Sequence, residues 1–142
     1  MNNCGAGVKR ILVVEDDPEI SLVCSKILTS KALEIDIAHD GKMAGEMLER
    51  KNYTLCLIDL KTLMKNDRQL YQYMNEKHPK LLNGAIFTGV GLVAGRSKVF
   101  MKQTPRLFLH KPFAPEWLKE IVGKTLSQVN NEDYRTNKTA YR

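Results

Sequence analysis

Cysteine is scarce in this chain of 142 residues: Cys4, Cys24 and Cys56 are odd in number and widely spaced. That excludes a disulfide-stapled scaffold, and two of the three fall inside apolar segments, so they read as small core residues in a reducing compartment. No apolar run approaches the roughly 20 residues that a membrane-spanning helix needs. The opening residues, Met1 to Gly7, lack the charged and apolar regions of a secretory signal. The expected setting is the cytoplasm, with no membrane partner. No GxxxxGK[ST] or GxGxxG follows the first apolar segment, which argues against a nucleotide- or flavin-binding enzyme that cradles phosphate there. Internal repeats and low-complexity tracts are missing too. With 43% hydrophobic and 27% charged residues, the composition is that of a folded globular domain.

An excess of either charge is absent from the first two-thirds. Up to Gly95, twelve basic side chains balance twelve acidic ones, and the whole net charge of +6 arises from Arg96 onward, where ten stand against four. A basic C-terminal third suits nucleic acid, an acidic protein face or plain solvation. Neither a helix-turn-helix pattern nor aromatic interleaving accompanies it, so direct DNA binding gains no support.

What is present is strict alternation. Arg10 to Val14 is a short β-branched run, a strand by length and type. Asp17 and Pro18 then suit an N-cap and first helical position, followed by Ile20, Val23, Cys24, Ile27 and Leu28 at helical spacing. Glu34 to Ala38 reads as a second strand near the sheet edge. Asp40 caps a second helix that turns Met43, Ala44, Met47 and Leu48 inward. Thr54 to Asp59 is an apolar third strand that ends on a carboxylate. Asn66 or Asp67 can cap a third helix carrying Leu70, Tyr73 and Met74, which ends before Pro79. Gly84 to Thr88 is a fourth strand closed by Gly89-Val90-Gly91, and a fourth helix is expected around Val93 to Gln103. Arg106 to His110 is the fifth strand, and a last helix from Pro115 turns Leu118, Ile121, Val122 and Leu126 inward. The expected division is an N-terminal extension over 1–8, one domain over 9–128 and a polar tail over 129–142.

Five strands alternating with helices call for an α/β fold with a parallel sheet covered on both faces. Right-handed crossovers leave few topologies, and the flavodoxin-like, doubly wound order 2-1-3-4-5 fits best. That order sets the end of the first strand beside the end of the third, where ligands bind in open sheets. Glu15 and Asp16 would then lie beside Asp59. Three like charges in a cleft repel one another, and a hard divalent cation such as Mg²⁺ resolves the conflict. Alternatively, Glu15-Asp16-Asp17 is only the acidic first turn of a helix. Thr88 ends the fourth strand with a hydroxyl, and Lys111 follows the fifth with an ammonium; Pro112 permits a cis bond that would aim Lys111 inward. Together these groups make a phosphoryl site, with Asp59 as nucleophile and the cations neutralising the equatorial oxygens.

The segments Ile11 to Asp17, Leu57-Ile58-Asp59-Leu60, Phe87-Thr88-Gly89 and His110-Lys111-Pro112-Phe113 resemble the signature of receiver domains in two-component signalling. The resemblance covers about Lys9 to Gln128. It implies that Glu15 and Asp16 are the acidic pair, that Asp16 and Asp59 bind Mg²⁺ together with the backbone carbonyl of Lys61, and that Asp59 is the phosphoacceptor. Thr88 and Lys111 would contact the phosphoryl group. Phe108, three residues before Lys111, stands at the family's aromatic switch position, and equally reads as core packing. Implied partners are a histidine kinase or histidine phosphotransfer protein, and a downstream protein on the face made by the fourth helix, fifth strand and last helix. A homodimer is left open. A looser likeness joins the chain to receivers at the C-terminus of hybrid sensor histidine kinases.

The chain also departs from the pattern. Leu63 and Asp67 replace the proline and glycine usual four and eight residues past the acceptor, which implies a differently shaped loop. Gly89 stands where a small side chain is usual, and Lys61 places an extra cation at the rim. The resemblance implies a phosphoacceptor signalling domain without enzymatic activity of its own. A phosphorylation-independent interaction module of the same shape is the alternative. With no effector domain in this sequence, gene regulation by this chain alone is not expected.

Overall fold

The computed structural model describes residues 7–90 and 107–130. Strands β1 (Lys9–Val14), β2 (Leu33–Ala38), β3 (Leu55–Asp59), β4 (Ile86–Val90) and β5 (Leu107–Lys111) form one sheet. Every pairing is parallel and the order is β2-β1-β3-β4-β5, the doubly wound arrangement expected. The helices are α1 (Pro18–Leu28), α2 (Gly41–Arg50), α3 (Leu60–Lys77), α4 (Pro79–Asn83) and α5 (Pro115–Asn130).

The near-continuous apolar runs of β1 and β3 follow from burial on both faces. Because successive side chains point to opposite faces, Leu12, Val14, Cys56 and Ile58 pack with Ala44 and Leu48 of α2 and Leu63, Leu70 and Met74 of α3. Their neighbours Ile11, Val13, Leu55 and Leu57 pack instead with Cys24 and Leu28 of α1 and Leu118 and Val122 of α5. Burial pushes the Cys24 thiol up to about 11 and raises Cys56 as well, so both behave as apolar filling. Cys4 lies outside the described residues.

The first two expected N-caps are in place. The Asp17 carboxylate accepts from the amides of Glu19 (2.9 Å) and Ile20, with Pro18 as the first helical residue. The Asp40 carboxylate accepts from the Met43 amide at 2.8 Å. Such caps are each worth about 1 kcal/mol. The inward stripes differ from expectation at two positions. In α1, Ser21, Cys24 and Leu28 face the sheet while Val23 is exposed, and the buried Ser21 hydroxyl donates to the Pro18 carbonyl at 3.1 Å. Met43, in the first turn of α2, is exposed, and its sulfur accepts from the His39 amide.

The segment after Asp59 departs most. Helix α3 starts at Leu60, with Asp59 itself as its cap, and is interrupted from Lys65 to Arg68. Asn66, Asp67 and Arg68 lie in the left-handed region at φ 52°, 59° and 61°. Neither Asn66 nor Asp67 therefore has the extended backbone of the N-cap expected there. Leu63 is fully buried in the α2–α3 layer, which explains an apolar residue where proline is usual. Asp67 adopts the conformation that glycine adopts freely. The short helix α4 begins at Pro79, and β4 continues through Gly89 to Val90. The fourth helix expected around Val93 to Gln103 lies outside the described residues. No helix among the described residues is long and apolar enough to cross a membrane.

Candidate functional site

Strands β1, β3, β4 and β5 all deliver a polar residue at one end of the sheet. Register places Thr88 directly beside Asp59, and both are buried. Glu15 follows β1 and is equally buried, so two carboxylates occupy an interior that tolerates charge only when it is paired.

Lys111 supplies the pairing. Its side chain is only 11% exposed, and its ammonium donates to Glu15 Oε1 at 2.8 Å and to Asp59 Oδ1 at 3.1 Å. The Lys111–Pro112 bond is cis. The second Glu15 oxygen accepts from the Asp17 amide at 3.2 Å. Asp59 Oδ2 accepts from the Thr62 hydroxyl at 3.1 Å and the Thr62 amide at 3.3 Å. Thr62 was not singled out from the sequence, although a threonine three residues past an N-capping aspartate is placed to reach back to it.

Burial, reinforced by the charge of Asp59, pushes the Glu15 carboxyl above its usual range despite the opposing bonds from Lys111 and the Asp17 amide. Burial alone would lower Lys111, but its bonds to Glu15 and Asp59 outweigh burial and raise it. Asp16 sits nearer the solvent. Desolvation is the largest single influence and acts upward, yet Lys61, Lys65 and the neighbouring Glu15 together hold its carboxyl below the usual value. The Lys65 ammonium stands 3.6 Å and that of Lys61 4.0 Å from Asp16 Oδ2. Lys65 was also missed, although it lies four residues past Lys61, a spacing that shares one helical face.

Glu15, Asp16 and Asp59 each offer an oxygen, all within 4.8 Å of one another. A hard, all-oxygen, anionic donor set of this kind fits Mg²⁺, which takes one or two carboxylates and keeps several waters. The structure thus brings Glu15, Asp16, Asp59, Thr88 and Lys111 to one end of the sheet, with the Lys61 side chain at its rim.

Phe108 packs against the α2–α3 layer and is partly buried, with its ring edge-on to His110 at 4.7 Å. It also closes over Gly89: a Cβ added at Gly89 would lie 3.0 Å from Phe108 Cζ.

An acidic cluster at the carboxyl ends of β1 and β3, countered by a lysine from β5 on this topology, defines a receiver domain. The family model described as the response regulator receiver domain matches residues 11–123, and the chain belongs to that family of two-component signalling domains. Among curated proteins it is similar to the response regulator protein PilR of Pseudomonas aeruginosa, at 29% identity over 124 residues. That match covers 87% of this chain but only 27% of PilR. Among solved structures it resembles a CheY-like receiver domain protein of Methanospirillum hungatei, with a TM-score of 0.74, 25% identity, and coverage of 89% of this chain and 99% of that one. The receiver domain of AraT, a response regulator from Geobacillus stearothermophilus, shares the fold at a TM-score of 0.68 and 20% identity, covering 89% of this chain and 98% of its own.

Proposed function

We propose that Asp59 accepts a phosphoryl group from a histidine kinase or histidine phosphotransfer protein and that this switches partner binding. A carboxylate oxygen of Asp59 forms the new bond to phosphorus. The phosphorus–nitrogen bond of the donor phosphohistidine breaks, and the imidazole leaves with the electron pair. The observation that carries this reading is the contact of the buried Asp59 carboxylate with the Lys111 ammonium at 3.1 Å, beside two further carboxylates.

Glu15, Asp16, Asp59 and the Lys61 backbone carbonyl are the groups that would hold Mg²⁺, which when bound supplies charge neutralisation at the phosphoryl oxygens. Lys111 is already inside the site, and its ammonium can follow charge from the carboxylate to an equatorial oxygen as the bond forms. Thr88, in register beside Asp59, offers its hydroxyl to another. Drawing Thr88 inward changes the space beside Gly89, which the Phe108 ring borders, so Thr88 and Phe108 form the switch pair. The downstream surface includes β5 and α5, where Trp117 is 56% exposed.

Incubation with acetyl phosphate and Mg²⁺ followed by intact-mass measurement tests the acceptor. The wild type gains one phosphoryl group and Asp59→Ala gains none. Equal labelling of both proteins moves the acceptor away from Asp59 and overturns the assignment, and no labelling of the wild type overturns it and leaves a phosphorylation-independent interaction module.

A further inference from the structure

The rim of the acidic cluster carries two cations that the proposed chemistry does not use. Lys65 Nζ lies 3.6 Å and Lys61 Nζ 4.0 Å from the same Asp16 oxygen. Lys61 stands in the first turn of α3, and Lys65 stands where that helix breaks, at ψ 157°. The break is continued by three consecutive left-handed residues, so the backbone departs from its helical path just as the Lys65 side chain reaches Asp16. Both lysine side chains are more than half exposed, at 72% and 53%, and are free to swing into water without disturbing the core.

A divalent ion bound by Asp16 brings two positive charges to a carboxylate that already serves two ammoniums. Cations crowded at one carboxylate repel, and the bound ion gains less than it would at a bare carboxylate. We infer that Lys65, backed by Lys61, is a positioning residue that holds Asp16 in the metal-free protein and must yield for Mg²⁺ to bind. The two lysines thereby set the magnesium concentration at which the domain becomes competent for phosphoryl transfer. The inference rests on the metal reading proposed above for Glu15, Asp16 and Asp59.

Calorimetric titration of MgCl₂ into the unphosphorylated protein gives a readout independent of phosphorylation. Neutralising one exposed partner is expected to tighten the Mg²⁺ Kd about threefold in Lys65→Gln, and about tenfold in the Lys61→Gln/Lys65→Gln double variant, in line with exposed ion-pair strengths. Lys65→Arg keeps the charge and is expected to keep the wild-type Kd. Lys124→Gln removes a cation paired with Glu120 on α5, away from the site, and controls for net charge. A Kd equal to wild type in both Lys65→Gln and the double variant overturns the inference and leaves the metal site standing. Equal tightening in Lys124→Gln overturns it as well. Absence of binding heat in the wild type and in every lysine variant removes the metal reading itself, and the inference with it.

Discussion

Replacing Lys111 by methionine removes the one cation among the described residues that touches both Glu15 and Asp59. Methionine keeps the length and apolar stem, so the change isolates the ammonium. Two buried carboxylates then face each other without a compensating cation, and breaking a buried pair in this way typically costs about 3–5 kcal/mol. Proton uptake caps that cost. In the unfolded chain Glu15 has its ordinary value of 4.5, so holding it protonated at pH 7 takes about 3.4 kcal/mol at 1.36 kcal/mol per pH unit. The expected loss in EDTA at pH 7 is therefore about 3 kcal/mol, a fall of roughly 10 °C in Tm for a domain of this size. At pH 5.5 the same cap is only about 1.4 kcal/mol. The sign follows from linkage: a carboxyl whose folded pKa is raised binds its proton more tightly in the native state, so stability falls as pH rises through that range. The gap between variant and wild type should thus narrow by about 2 kcal/mol between pH 7 and 5.5. Urea unfolding followed by circular dichroism measures it at both pH values. Added Mg²⁺ should restore part of the loss at pH 7 by binding the native state. A variant as stable as wild type in EDTA at pH 7, or a gap that ignores pH, would refute the reasoning.

Two further outcomes follow from the packing. Gly89→Ala places a Cβ against the Phe108 ring and should cost about 1–2 kcal/mol by overpacking. The displaced ring should also move the His110 ring resonances, and unchanged His110 shifts would show that Phe108 does not border Gly89. Leu63→Ala removes a fully buried side chain and should cost about 2–5 kcal/mol in urea unfolding, with a loss under about 1 kcal/mol contradicting its core position.

The sheet and its order were legible because β1 and β3 are short apolar runs buried on both faces, too short for a helix and bounded by turn residues, as suits an interior strand between helices. Asp59 and Glu15 were legible because each ends such a run with a charge that only a strand terminus can house. Reading α3 failed for a different reason. Asn66 and Asp67 are favoured both at helix caps and in left-handed backbone, and composition cannot tell these apart. Val23 and Met43 were misplaced because helical spacing fixes the width of an apolar stripe and not its rotation. Ser21 could turn inward only by bonding its own helix, a local choice that periodicity does not register. Lys65 and Thr62 belong to the site through side-chain reach across a turn, which becomes visible once α3 is known to begin at Leu60.

The three carboxylates of the site are matched by three ammoniums, one from within and two from the rim. A self-neutral cleft of this kind is expected to keep its fold on dialysis against a chelator. On the metal reading proposed for Glu15, Asp16 and Asp59, scarcity of divalent ions would silence this protein without destroying it, and resupply would revive the existing molecules with no need for new synthesis.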